Sequence, residues 1–131
     1  MVMRYSYISV NARNWRCTKK TTWQPIVWSE ALVLLPPNAE GRLFVEAQNK
    51  IGGKKGFIRL GGMTNNIVQA DMVSFEGSLI VVEQTRWRLL DSGWFKFPSF
   101  EDSPVLVWVQ MKTEEGGRCC FALATMVIRE A

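Results

Sequence analysis

The sequence predicts an all-β fold, a single compact β-barrel or sandwich of about seven to nine mainly antiparallel strands with at most one short helix. Three observations carry this expectation. Glycine, proline and asparagine clusters punctuate the chain at short intervals, apolar residues between them alternate or run continuously, and no window sustains a helical period. The firmest local signal is the C-terminal stretch, residues 104–129, where VLVWVQM and RCCFALATMVI flank the polar loop KTEEGG. Two apolar runs around Gly116-Gly117 read as a β-hairpin with Glu115 opposite Arg118, because those glycines supply the positive φ of a tight turn. That register places Val105, Val107, Val109 and Met111 on one face and Trp108 with Gln110 on the other. Both faces are apolar enough to need cover, so the pair belongs at the centre of the fold.

The remaining elements follow in order. Residues 1–10 alternate Tyr5 and Tyr7 against Ile8 and Val10 and read as a first strand. A polar, basic dozen follows. Residues 23–35 are interrupted by Pro25, and Ser29-Glu30-Ala31-Leu32 offers at most one helical turn before Pro36. PPNAEG is a turn, and residues 42–48 alternate as a strand. The loop NKIGGKKG joins it to a short strand at 57–60, most simply as a hairpin, and Gly61-Gly62 ends that strand. Residues 67–69 and 72–76 pair briefly. Residues 79–90 then form a long strand that turns at Asp91-Ser92-Gly93 and returns through 94–97, with Leu90 opposite Trp94. This pairing puts Trp87, Leu89, Phe95 and Phe97 in the core and Arg86, Arg88, Trp94 and Lys96 together on the other side. PSFEDSP links this unit to the C-terminal hairpin.

At 131 residues and 47% hydrophobic, residues 1–131 make one domain and leave no room for a second. No run is long and apolar enough to span a bilayer, and the first ten residues lack the apolar core of a signal peptide. Cytoplasmic localisation and no membrane partner are therefore expected. Cys17, Cys119 and Cys120 fit that setting as small core residues, since an odd number leaves one unpaired and adjacent strand cysteines point to opposite faces.

The net charge of +4 is unevenly spread: residues 1–60 hold ten Lys/Arg against three acids, and residues 61–131 hold six against nine. The excess concentrates in RNWRCTKK at 13–20 and KIGGKKGFIR at 50–59. Such clusters attract an anionic partner, nucleic acid or a small anionic ligand, or else form a solvated loop face.

The chain contains no histidine. Ser-His-Asp and Cys-His mechanisms and His-containing zinc sites are thereby excluded, and three cysteines do not make a Cys-only site. No cofactor or metal is expected. Paired carboxylates are the remaining catalytic option, with Glu46 and Glu83 as the candidates for a hydrolase or isomerase. The Gly-Lys loop at 51–56 departs from a Walker loop, because its lysines precede the last glycine and a strand follows, although its amides can still nest an anion.

Aromatic and basic residues also interleave. Trp15 lies between Arg13 and Arg16, Trp87 between Arg86 and Arg88, and Trp94 beside Lys96, a combination that single-stranded nucleic acid grooves use. Trp87 and Trp108 suit the core, Trp15 and Trp94 the surface. The expectation is a non-enzymatic binding module engaging its ligand through Arg13, Trp15, Arg16, Lys54, Lys55, Glu83, Arg86, Arg88, Trp94 and Lys96. The alternatives are a barrel holding a small molecule among Glu46, Gln48, Glu83, Gln110 and Thr125, the carboxylate enzyme, and a homo-oligomer joined through exposed aromatics.

Overall fold

A computed structural model describes residues 5–26, 31–33, 38–64, 72–97 and 105–130. They form nine strands: β1 (Tyr5–Thr18), β2 (Gln24–Pro25), β3 (Ala31–Val33), β4 (Ala39–Asn49), β5 (Gly56–Thr64), β6 (Met72–Val82), β7 (Arg88–Lys96), β8 (Val105–Thr113) and β9 (Cys119–Glu130). There is no helix among the described residues. All the strand pairs are antiparallel, in two sheets ordered β1-β9-β4-β7 and β2-β8-β5-β6, with β3 also on β8. The all-β expectation holds, and its two forms resolve to a sandwich with open edges rather than a closed barrel.

The core lies between the sheets and is apolar on both inner faces. β4 contributes Leu43, Val45 and Ala47, β5 Ile58 and Leu60, β8 Val107, Val109 and Met111, and β9 Phe121, Ala124, Met126 and Ile128, all buried. Phe95 and Phe97 close one end with Phe75, their rings meeting edge-on at centroid distances of 5.0 and 5.2 Å. Such geometry adds about 1 kcal/mol per pair beyond burial. Gly41 faces these rings: a Cβ there would lie 2.6 Å from Phe97 Cε2.

Strand content follows the sequence reading, but the pairing does not. β8 and β9 belong to different sheets, so the expected C-terminal hairpin is an arch that crosses the core. Glu114 N donates to Lys55 O at 2.9 Å and Gly117 N to Glu114 O at 2.9 Å, which turns the chain towards the other sheet. The connection from β4 to β5 is likewise an arch. So is the one from β6 to β7, because residues 88–96 are one continuous strand on β4.

Asp91-Ser92-Gly93 is therefore a bulge. Gly93 has φ 72°, Ser92 Oγ accepts from Leu43 N at 2.9 Å, and Asp91 Oδ1 accepts from Gly93 N at 2.8 Å. Both a turn and a bulge need a glycine at positive φ, which is why the triplet reads as either. As a result Leu89, expected in the core, points outward and is 69% exposed.

Cys17 stands opposite Cys120 in the β1–β9 register and is bonded to it, correcting the expectation of three reduced cysteines. Cys119 remains a free, buried thiol. The helical turn expected at 29–32 and the pairing at 67–69 fall on residues outside those described, except that Ala31 and Leu32 lie in β3.

Candidate functional site

The strand registers place the ends of β1, β4, β6 and β8 and the starts of β2, β5, β7 and β9 at one end of the sandwich. The four connections there, 19–23, 50–55, 83–87 and 114–118, all cross from one sheet to the other. Crossing segments leave backbone groups without ladder partners, and here the loops satisfy one another. Asn49 N donates to Gln84 O (2.8 Å), Lys50 N to Arg118 O (2.8 Å) and Thr113 N to Lys20 O (3.0 Å). Asn49 is fully buried and pins the assembly, its Oδ1 accepting from Ile51 N at 3.1 Å and Arg118 N at 3.3 Å. Gly53 and Gly116, at φ 78° and 82°, make the sharp turns, and the Lys54 chain lies against Gly116 and Gly117.

These loops with the first residue of β7 carry Lys19, Lys20, Lys50, Lys54, Lys55, Arg86, Arg88 and Arg118 against Glu83, Glu114 and Glu115. That is eight cations to three acids, whereas the rest of the chain holds eight cations and nine acids. The whole basic excess thus sits at one end. Lys55 and Glu83 pair at 3.8 Å with both side chains more than half exposed, a contact worth little in water. Arg86 and Arg88 are exposed and border a shallow hollow of about 320 Å³ with Glu83, Gln84 and Thr85. Around the corner, Arg16 and Lys20 flank a cleft of about 250 Å³ floored by Cys17, Ile26 and Met111. Convergent cations over a low-dielectric floor raise the potential an approaching anion meets.

An aromatic strip continues from this end down the outer face of the β8–β5 sheet. Trp23 lies under Arg59, whose Cζ is 4.0 Å from the ring centroid, and Lys112 Nζ is 4.8 Å from Trp23 and 5.5 Å from Phe57. Gln110 holds the guanidinium in place, accepting from Arg59 Nε at 2.9 Å. The sequence reading missed this strip because its members are far apart in the chain; strand alternation alone would place Arg59 with Phe57 and Gln110 with Lys112.

Of the ten residues expected to bind ligand, the structure brings Lys54, Lys55, Glu83, Arg86 and Arg88 to the loop end, with Arg16 beside it. Arg13 and Trp15 fall in the β1 register shift between Asn11 and Arg16, and their side chains are outside the described residues. Trp94 and Lys96 lie at the opposite end of β7, because the bulge continues the strand where a turn would have brought them back. There Arg129 stacks over Trp94 with Cζ 3.7 Å from its centroid and Arg42 lies at 5.9 Å. Arg129 pairs with Glu40 (3.4 Å) and Arg42 with Asp91 (3.0 Å). Asp91 is held below the usual carboxylate range, chiefly by the Gly93 N–H, with Arg42 adding to it against the opposing effect of desolvation.

The alternative constellations are not assembled. Glu46 is on the outer face of the β4 sheet and Glu83 is in an arch leaving the other sheet, so the two do not share a strand face. Gln48 and Thr125 share the outer face with Glu46, and Gln110 is on the outer face of the second sheet, so among the described residues these groups do not line a common interior cavity. Among the described residues no group of three His, Cys, Asp or Glu is placed to hold a metal.

No family model matches this sequence, and a comparison with curated proteins finds no match. Among solved structures the chain is similar to Family 16 Carbohydrate Binding Module-2, at 13% identity and a TM-score of 0.46 over 82% of this chain and 73% of that one. It is also similar to the CBM22-1-GH10 modules of a Clostridium thermocellum endo-1,4-beta-D-xylanase complexed with xylohexaose, at 10% identity and a TM-score of 0.49, covering 95% of this chain and 26% of that one. A third likeness is to the structure of infectious bursal disease virus, Gx strain, at 10% identity and a TM-score of 0.49, covering 98% and 36%.

Proposed function

We propose that this protein is a non-enzymatic binding module that holds an anionic polymer across its loop end, with single-stranded nucleic acid as the ligand class. The observation that carries the reading is the segregation of charge: four interlocked arches and the first residue of β7 gather eight cations against three acids while the rest of the chain is nearly balanced. Trp23 and Phe57, reached from the same end, supply planar surfaces on which bases stack.

Titrating a fluorescent oligothymidine at increasing salt tests this. Engagement of about four phosphates gives a log–log slope of about −3 for a single strand. K54E/K55E and R86E/R88E should each weaken binding at least tenfold and flatten that slope. Undetectable binding at low salt, or affinity indifferent to salt, would exclude it.

The Cys17–Cys120 bond favours a second reading, in which the polymer is an anionic polysaccharide. Disulfides persist in oxidising compartments, so the bond weighs against the cytoplasmic placement expected from the sequence. A sulfated polysaccharide titrated under the same conditions separates the two: the polymer that binds more tightly at equal salt identifies the ligand class.

A further inference from the structure

We infer that residues 5–11 of β1 pair antiparallel with the same residues of a second copy, joining two four-stranded sheets into one of eight strands about a two-fold axis near Ile8. β1 ends its sheet. Residues 5–11 run in unbroken register with β9 on one side, from Tyr5 opposite Arg129 to Asn11 opposite Leu123, and have no strand on the other among the described residues. Every second residue of such a strand directs its N–H and C=O at the open side.

The segment, YSYISVN, carries no charge, proline or glycine and is rich in β-branched and aromatic residues. That is the composition that adds strands most readily.

The other edges are blunted. β7 is bent by the bulge at Asp91-Ser92-Gly93 and begins and ends with a cation. β6 is offset by residues 76–79 opposite Arg59, an irregularity fastened by the buried Ser78, whose Oγ accepts from Leu60 N at 2.8 Å. β2 is two residues long and includes Pro25, and β3 is three. Bulges, prolines and short edges are the devices by which sheets avoid adding strands, and β1 lacks them from 5 to 11.

Charge and symmetry identify the occupant as a second copy. With Ile8 on the axis, Tyr7 meets Ser9, Ser6 meets Val10 and Tyr5 meets Asn11, so no like charges are opposed. The antiparallel arrangement sends the two basic loop ends in opposite directions, whereas a parallel one would set them side by side. Pairing consumes both open edges and closes the assembly at two.

Light scattering across a concentration series tests this independently of any ligand. The wild type is expected at twice 15.0 kDa when concentrated and at the monomer mass on dilution. Y7K/S9K sets four lysines across the junction, at register positions opposite Val127 and Thr125, and should remain monomeric with unchanged circular dichroism. Amide exchange in residues 5–11 of the wild type should slow as concentration rises, a readout that survives a variant that fails to fold. A wild-type monomer throughout, a Y7K/S9K dimer like the wild type, growth beyond two copies, or concentration-independent exchange in this segment would each overturn the inference.

Discussion

Reducing the Cys17–Cys120 bond removes a crosslink without removing an atom, which separates the effect of the tether from that of packing. Cys17 and Cys120 are 103 residues apart, so the bond joins the first strand to the last and closes most of the chain into one loop. In the chain-entropy treatment a loop of that length costs the unfolded state about 16 cal/mol/K, or about 4.7 kcal/mol at 25 °C. A domain of this size has a total stability of about 5–15 kcal/mol, so the bond supplies a large share. Urea unfolding followed by tryptophan fluorescence, with and without a phosphine reductant, measures it. With a denaturant slope of about 2 kcal/mol/M, the reduced protein should unfold at a midpoint lower by about 2 M.

Thiol titration of the unfolded, unreduced chain should find one reactive cysteine, Cys119, and three after reduction. Coincident midpoints would show that the unfolded chain gains little freedom from reduction and refute the loop-entropy reasoning. Three thiols without reductant would refute the bond itself.

Three further outcomes are expected. Gly41→Ala drives a methyl into the Phe95 and Phe97 rings, at 2.8 and 2.6 Å, and should cost about 1–3 kcal/mol by equilibrium unfolding. The Cys119 thiol is pushed by burial from 9.0 up to about 12; the folded chain keeps its proton while the unfolded chain ionises, so this contribution is complete below 9 and lost towards 12. Wild-type thermal melts should therefore fall more steeply over that range than those of Cys119→Ala. Asp91, held below 3.8 chiefly by the Gly93 N–H, contributes stability that is present above that value and lost as pH falls through its lower folded value, so Asp91→Asn should flatten the acid limb of the same melts.

Strand existence was legible because alternation is local, whereas strand partnership was not. A polar, glycine-bearing connection between two apolar runs reads the same whether the chain returns within a sheet or crosses the core. What decides is non-local: Glu114 N finds Lys55 O, and Asn49 N finds Gln84 O. The same ambiguity moved Trp94 and Lys96 from one end of the molecule to the other, because Gly93 serves a bulge as well as a turn. Lys54, Lys55, Arg86 and Arg88 were legible as candidates because charge clusters survive any pairing. The disulfide was not, since counting three cysteines says that one is left over without saying which.

Why the cations sit where they do follows from the arches. Facing sheets lie about 10 Å apart, and a segment spanning that gap passes over the mouth of the core, so its outer side must be polar while its backbone is satisfied by its neighbours. Lysine and arginine suit the position, since their stems cover apolar surface while their heads stay in water. That requirement is met equally well by a mixture of signs, which costs less in self-repulsion and is how surfaces selected for solubility are composed. An end with eight cations and three acids, on a chain otherwise balanced, therefore carries more repulsion than folding requires. An anionic polymer laid across the four arches relieves it, and binding should accordingly raise the thermal midpoint most at low salt, where the repulsion is least screened.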